Sequence, residues 1–246
     1  MGSVISKLDN SRLLRRHKTI GPYIPETLPL SQASLSPMLR QFPFVYLKPD
    51  NSCQGKGILR IDPLPSGEFL LRTRDTGSES VHFHLPHLWE AIHQAKIDRP
   101  YIIQQGINSV TLTGHLFDIR VHLMRIKGKW RVAGIVGRVA PKKSIVTNAY
   151  SGGISKHVDR LLTDDLGYNP RRAEHTIEEL CTISKQATKI ISRVYPRWSE
   201  FGLDIGIDPF HRIWIYEINI KPGTLVFKNL DRETFRHILK LRKKAS

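Results

Sequence analysis

The sequence predicts an α+β fold in two lobes that meet near Gly106. Short β runs punctuated by Gly and Pro cluster in the stretches 44–74 and 101–140, the mark of antiparallel sheets. Segments with apolar spacing near 3.6 residues stand between and after these clusters instead of alternating with them one for one. The chain has 246 residues, 40% of them hydrophobic and 24% charged, a globular balance that suits one large domain or two small ones.

In chain order, residues 1–40 read as a helical lead-in segment, 41–106 as the first lobe and 107–246 as the second. The lead-in holds a short helical pattern, the turn-rich stretch GPYIPETLP with Pro22, Pro25 and Pro29, and a second helix that Ser31 opens and that runs to about Gln41. PFVYLKP, ILRID and EFLLRTR then read as strands of a small antiparallel sheet. Leu85, Leu88, Trp89 and Ile92 give HLPHLWEAIHQA helical spacing, and YIIQQGI after it is another β run. HLFDIRVHLMRI and KWRVAGIVGRVA are longer strands joined at Lys127-Gly128-Lys129, where the central Gly suits a tight hairpin. The loop TNAYSGG leads to a helix from about Arg172 to Tyr195, with Ile177, Leu180, Ile183, Ala187 and Ile190 on one face. LDIGIDPFHRIWIYEIN reads as a hairpin, and DRETFRHILKLRKK as a terminal helix capped by Asp231.

Composition narrows the function classes. Cys53 and Cys181 are the only cysteines, too few for a disulfide framework or a Cys-rich zinc site, and they favour a reducing compartment. No run of about 18 apolar residues occurs and MGSVISKLDNSRLLRRHK is too polar for a signal peptide, so a soluble cytoplasmic protein without a membrane span is expected. Lys and Arg total 38 against 22 Asp and Glu, and a formal charge of +16 draws an anionic partner such as a nucleotide, an acidic polymer or a nucleic acid. No RNP aromatics or zinc spacing accompany that charge, which disfavours nucleic acid. The basic runs Arg12, Arg15, Arg16, Lys18 and Lys240, Arg242, Lys243, Lys244 read best as solvated helix faces.

The chemistry gathers around IWIYEIN. Residues two apart on a strand share a face, so Ile213, Ile215, Glu217 and Asn219 are expected to point one way and Trp214, Tyr216, Ile218 and Ile220 the other. A carboxylate and an amide at the end of an otherwise apolar face, with Asp204 on the strand before, supply the hard oxygens that magnesium takes alongside phosphate oxygens and water. Glu217 and Asn219 lie about 6.6 Å apart along the strand, close enough to flank one ion or hold two. Asp208 falls at the turn, where Asp commonly makes local hydrogen bonds. KPDNSCQGKGI places Lys48 at a strand end before a loop with Gly55, Lys56 and Gly57. Such a loop can bring backbone N–H groups to a phosphate, and a plain glycine hairpin with surface lysines would look the same. It is not a Walker loop, and Cys53 within it reads as incidental. Arg120 and Arg138 stand inside apolar-rich strands and require an anion, either a ligand's or, for Arg120, the carboxylate of Asp118. Asn148 and Gly152-Gly153 lie in a loop that either closes over a ligand or simply turns.

Taken in order, these pieces resemble the ATP-grasp enzymes: a Lys-Pro strand end and Gly-rich loop, an adenine-side strand, an Asp-Ile-Arg strand, an Arg strand, an Asn and Gly-Gly loop, then Asp, Glu-x-Asn and Pro-Gly. Within that superfamily KP...GKGI, YIIQQGI, DIRV, TNAYSGG, GLDIGID and WIYEINIKPG look most like the YheC/YheD endospore coat-associated group, from about Ile24 onward. The resemblance implies two α+β lobes with antiparallel sheets enclosing a nucleotide cleft. It implies ATP and Mg²⁺, with Mn²⁺ as an alternative, and a ligase that joins a carboxylate, of peptide, protein or other origin, to an amine through an acyl phosphate. Lys48, Gly55, Lys56 and Gly57 would hold and cover the phosphates, Gln104, Gln105 and Ile107 would face adenine and ribose, and Asp204, Glu217 and Asn219 would bind the metal. Arg120, Arg138 and Asn148 would serve the reacting groups. Two departures stand out: only about forty residues precede the grasp, too few for the N-terminal α/β domain such ligases usually carry, and Gln104 fills a place often held by Glu. An ATP-binding structural component of the spore coat, contacting coat proteins without turnover, and an ATP-grasp kinase are the alternative readings.

Overall fold

The computed structural model describes residues 6–51, 55–142, 144–147 and 153–245. They form two compact units. One is built mainly from Pro25–Ile107 and the other from Leu13–Ile24, Asn108–Lys142 and the chain from Thr147 onward.

The first unit is a six-stranded antiparallel sheet in the order β1-β6-β2-β3-β4-β5. Its strands are β1 (Thr27–Pro29), β2 (Val45–Pro49), β3 (Leu59–Pro63), β4 (Phe69–Thr73), β5 (Glu79–His82) and β6 (Tyr101–Gln105). Period-two alternation divides its faces: Val45, Leu47, Leu59, Ile61 and Ile103 pack against α2 (Gln32–Gln41) and α3 (Leu85–Ala95) through Leu35, Met38, Leu39, Leu88 and Ile92. Ser31 opens α2 with a capping box, its Oγ accepting from Ser34 N–H while Ser34 Oγ accepts from Ser31 N–H. Thr27–Pro29, expected as turn, is instead an edge strand on β6, a place where a proline is tolerated. The other edge, β5, carries no alternating pattern because most of its residues are exposed, and it is absent from the strands expected above.

The second unit is a five-stranded antiparallel sheet in the order β11-β10-β7-β8-β9. It contains β7 (Phe117–Ile126), β8 (Lys129–Val139), β9 (Ile154–Lys156), β10 (Glu200–Ile207) and β11 (Ile213–Ile220). The β7–β8 turn has positive φ at both Lys127 (49°) and Gly128 (73°), the pairing that matches the right-handed strand twist. A short helix α4 (Val158–Arg160) precedes α5 (Pro170–Val194), which begins two residues before its expected start because Asn169 caps it and Pro170 takes the first turn. One sheet face, with Ile119, Val121, Leu123, Phe201, Leu203 and Ile205, buries itself against Leu180, Ile183, Ala187 and Ile191 of α5. Leu14 of α1 (Lys7–Arg15) joins that core. Part of the opposite face is covered by α6 (Leu225–Leu230) and α7 (Arg232–Arg242), through Val226, Phe227 and Ile238 on Met124 and Val136. Asp231 caps α7 as expected, accepting from Thr234 N–H at 2.6 Å. Among the described residues no helix is long and apolar enough to cross a membrane.

One register irregularity corrects the expected faces of β11. Asp204 stands opposite Glu217 but Ile205 stands opposite Ile215, so Tyr216 is an extra residue, a β-bulge. Ile213 and Ile215 therefore turn to the α5 core together with Ile218, while Glu217 and Asn219 turn to the other face. Strict alternation would have placed Glu217 on the core side with Ile215.

Candidate active site

The bulge sets Glu217 and Asn219 on the same sheet face as the charged residues of β7, β8 and β10. Residues directly opposite in an antiparallel ladder share a face, and the registers Asp118↔Arg138, Arg120↔Asp204, Asp204↔Glu217 and Gly202↔Asn219 run across four strands. Arg120 donates to Asp204 from Nε (2.5 Å to Oδ1) and Nη2 (3.0 Å to Oδ2). Arg138 Nη2 reaches the same Asp204 Oδ1 at 2.9 Å and also forks onto Asp118, with Nε 2.6 Å from Oδ1 and Nη2 2.5 Å from Oδ2. Asn219 Nδ2 donates to Asp204 Oδ2 at 3.2 Å. Thus the carboxylate that meets Arg120 is Asp204, and Asp118 serves Arg138 and accepts from the Thr147 hydroxyl. Both guanidiniums are nearly fully buried, at 8% and 5% exposure, so the two carboxylates are what makes their burial tolerable. Burial alone would make Arg138 easier to deprotonate, but Asp118 and Asp204 outweigh it and hold its pKa above the usual arginine range.

The residues present fit a divalent cation. Asp204 and Glu217 are cross-strand neighbours, and Asn219 adds an amide oxygen on the same face. Asp204 already takes four side-chain contacts, two from Arg120 and one each from Arg138 and Asn219, which fill the roughly four lone-pair sites of a carboxylate, so a metal at this position would compete with a guanidinium for it. Asp208 is a turn residue, as expected, accepting from Phe210 and Arg212 N–H and from Trp214 Nε1.

One pleat beyond Arg120, His122 is fully buried with Nε2 2.7 Å from Glu200 Oε1. Arg242 of α7 also donates to Glu200. Burial holds the imidazole pKa below its ordinary 6.5 against the pull of Glu200, with Arg120 and Arg242 disfavouring the charged ring further. Burial tends to raise the Glu200 carboxyl, but hydrogen bonds from His122 and Arg242 bring it below its ordinary 4.5. Both shifts have one sign: the unfolded chain binds the extra proton. The His122 contribution is complete above pH 6.5 and is lost as pH falls below it toward the depressed folded value. The Glu200 contribution is complete above 4.5 and is lost below that. The expected result is a urea midpoint that begins to drop below pH 6.5 and drops further below 4.5 in wild type, with the first decline missing in His122→Phe.

In the first unit, Lys48, Tyr46 and Gln104 occupy the sheet face away from α2 and α3. Lys48 Nζ donates to Gln104 Oε1 at 2.6 Å, and Gln104 Nε2 donates to Thr27 Oγ1 at 3.1 Å. Lys48 Nζ also lies 5.3 Å from the Tyr46 ring centre, and the Arg60 guanidinium is 3.8 Å from the Phe44 ring centre while it pairs with Asp62. Gln105 differs from Gln104: its Oε1 accepts from Glu26 N–H, which ties it to the chain leading into β1. Ile107 is buried. Gly55 and Gly57 have φ of 74° and 72°, so the loop needs glycine at both. The Gly57 N–H, however, donates to Asp75 Oδ2 at 2.7 Å, and Tyr101 donates to the Gly57 carbonyl. Lys56 is exposed. Asn148 and Gly152 lie outside the described residues. Sequence reasoning missed Asp118 as the partner of Arg138, and Thr27, Tyr46 and Arg60 beside Lys48. The period-two spacing of Tyr46 and Lys48 was the available signal for one of them.

The fold is that of the ATP-grasp proteins. Solved structures similar to the whole chain include the ATP-grasp ligase PsnB complexed with minimal precursor, with a TM-score of 0.55 at 12% identity over 99% of this chain and 62% of that one. The C-terminal domain of K. lactis Pby1, an ATP-grasp enzyme interacting with the mRNA decapping enzyme Dcp2, gives 0.56 at 15% identity over 98% and 71%. The L-amino acid ligase from Bacillus licheniformis gives 0.53 at 13% identity over 89% and 41%. The family model for YheC/D like ATP-grasp matches residues 2–243, and the chain belongs to that family. It is 27% identical to the endospore coat-associated protein YheD of Bacillus subtilis (strain 168) over 98% of this chain and 52% of YheD. It is 23% identical to YheC of the same strain over 85% of this chain and 58% of YheC. The chain thus spans little more than half the length of these relatives.

Proposed function

We propose that the chain is an ATP- and magnesium-dependent ligase that joins a carboxylate to an amine or a similar nucleophile through an acyl phosphate. The observation that carries the reading is the row Arg138, Arg120, Asp204, Glu217 and Asn219 on one sheet face, assembled by four-strand register and one bulge. Asp204, Glu217 and Asn219 would hold Mg²⁺, or Mn²⁺ in its place, and the ion when bound neutralises charge on the transferred phosphoryl group. Arg120 and Arg138 are fixed forks suited to a carboxylate or phosphate, and each Asp204 contact given up to the metal would leave a guanidinium proton for the substrate. Lys48 would bind the α and β phosphates, with Gln104 orienting its ammonium. Gly55, Lys56 and the rest of their loop would cover the phosphates, Gln105 and Ile107 would line the adenine side, and Asn148 would act near the reacting groups. The substrate carboxylate oxygen attacks the γ phosphorus and ADP leaves. The amine then attacks the acyl carbon and inorganic phosphate leaves. Positioning and electrostatics account for the rate, with no nucleophilic side chain.

A second reading, nucleotide binding without turnover in or near a spore coat, is favoured by one observation: both strand arginines are already matched by Asp118 and Asp204. A kinase would use the same machinery with a hydroxyl acceptor. The test is product analysis with Mg·ATP and mixtures of carboxylates and amines. ADP release that requires both classes supports the ligase, AMP would contradict it, and binding without any ADP would favour the coat component.

A further inference from the structure

The strand that carries Glu217 and Asn219 runs into Lys221-Pro222-Gly223, and this turn is held in an unusual way. Lys221 has a φ of 44°, a left-handed conformation that is strained for a non-glycine residue and persists only where the surroundings impose it. Those surroundings converge on Glu200. Its backbone carbonyl accepts from Lys221 N–H at 3.2 Å. Its carboxylate takes His122 Nε2 at 2.7 Å and Arg242 Nε at 3.0 Å, and Arg242 Nη2 continues to the Pro222 carbonyl at 3.3 Å. Pro222 in turn lies on Gly202, where a Cβ would stand 2.7 Å from Pro222 Cβ and 3.2 Å from Arg120 Cδ. His122 keeps this arrangement at a cost, since its Nδ1 is buried without a hydrogen-bond partner among the described residues.

We propose that Glu200, Arg242 and His122 form a latch that positions the candidate active site. The latch fixes the Lys221-Pro222-Gly223 turn and so the height of Glu217 and Asn219 against Asp204 and Arg120. None of the three touches the reacting groups. They are positioning residues, and α7 is the element that delivers Arg242. The inference rests on reading Asp204, Glu217 and Asn219 as the metal and phosphate site. A surface role for Arg242, like that of its exposed neighbours on α7, does not explain a fork that spans a buried carboxylate and a strained turn.

The experiment combines calorimetric titration of a non-hydrolysable ATP analogue, with and without Mg²⁺, and amide exchange across 218–224, on wild type, Arg242→Gln, Glu200→Gln, Arg242→Lys and the exposed α7 control Arg236→Gln. Folded fraction is set by working well below each unfolding midpoint. For Arg242→Gln and Glu200→Gln the gain in affinity that Mg²⁺ confers is expected to fall about tenfold or more, with metal-free affinity unchanged. Exchange at Lys221 is expected to rise, Arg242→Lys to recover part of the gain, and Arg236→Gln to match wild type. A faster Lys221 amide together with a wild-type magnesium gain would overturn the latch while leaving the metal reading in place. A wild type with no magnesium gain would overturn the metal reading, and exchange at Lys221 no faster in Arg242→Gln than in wild type would overturn the latch whatever the metal does.

Discussion

Asp204→Ala is expected to lower unfolding free energy by about 3–5 kcal/mol, the loss seen when one member of a buried ion pair is removed. The reason is geometric. Asp204 accepts from Arg120 twice and from Arg138 once, and both arginines are 8% exposed or less, so alanine would take away the carboxylate that both buried cations share. Asp204→Asn keeps an acceptor oxygen and should lose less. Urea unfolding of the two variants measures the difference. A loss within about 0.5 kcal/mol for alanine, the range of an ordinary surface change, would show that the guanidiniums reach water or another anion.

Gly106→Ala should be nearly as damaging, at about 3 kcal/mol, for a different reason. Gly106 follows β6 and donates its N–H to the Phe44 carbonyl at 2.9 Å. A Cβ there would lie 2.5 Å from that carbonyl oxygen and only 2.1 and 2.2 Å from Cδ2 and Cε2 of the Phe44 ring. The ring cannot yield without disturbing Arg60, stacked 3.8 Å from its centre, or Tyr46, edge-on at 5.8 Å. Thermal unfolding gives the number, and loss of the Arg60 stacking would be visible as a coupled effect in the double variant with Arg60→Met. An unchanged midpoint would contradict this account of β6.

What the sequence made legible, and what it hid, follows from the kind of signal each feature carries. α5 was readable because twenty-five residues repeat the helical period, and β2, β7, β8 and β10 because apolar and β-branched residues run between Gly and Pro punctuation. Lys48, Asp204 and Glu-x-Asn were singled out by residue type at strand ends. The face of Glu217 was not readable, since a bulge at Tyr216 adds no residue type that alternation would flag, and one inserted residue reverses every side chain before it. The identity of ion-pair partners was equally hidden. Asp118 sits two residues from Arg120 and was the natural guess by proximity, but strand order puts β10 on one side of β7 and β8 on the other, and so gives Arg120 to Asp204 and Arg138 to Asp118. The short elements β1, β5, β9 and α6 have too few residues to establish a period.

The asymmetry matters for function. On the second sheet the two guanidiniums are already paired with Asp118 and Asp204, with Glu217 and Asn219 alongside, so a ligand that engages those arginines must rearrange an existing ion network. Metal affinity and arginine availability are then linked through one carboxylate, and a substitution at Asp204 should disturb both.

The most direct measurement is calorimetric titration of a non-hydrolysable ATP analogue into wild type and Glu217→Ala, each with and without Mg²⁺. Glu217 is preferable to Asp204 for this purpose because Asp204 carries the Arg120 and Arg138 contacts that hold both buried guanidiniums, so removing it would disturb the fold together with binding. The account predicts nucleotide binding by wild type that tightens with Mg²⁺, and a Glu217→Ala protein that remains folded and binds but has lost most of that tightening. Wild-type affinity that is indifferent to Mg²⁺, or a Glu217→Ala protein that responds to it as fully as wild type, would contradict the claim that this face of the second sheet holds a metal beneath the triphosphate.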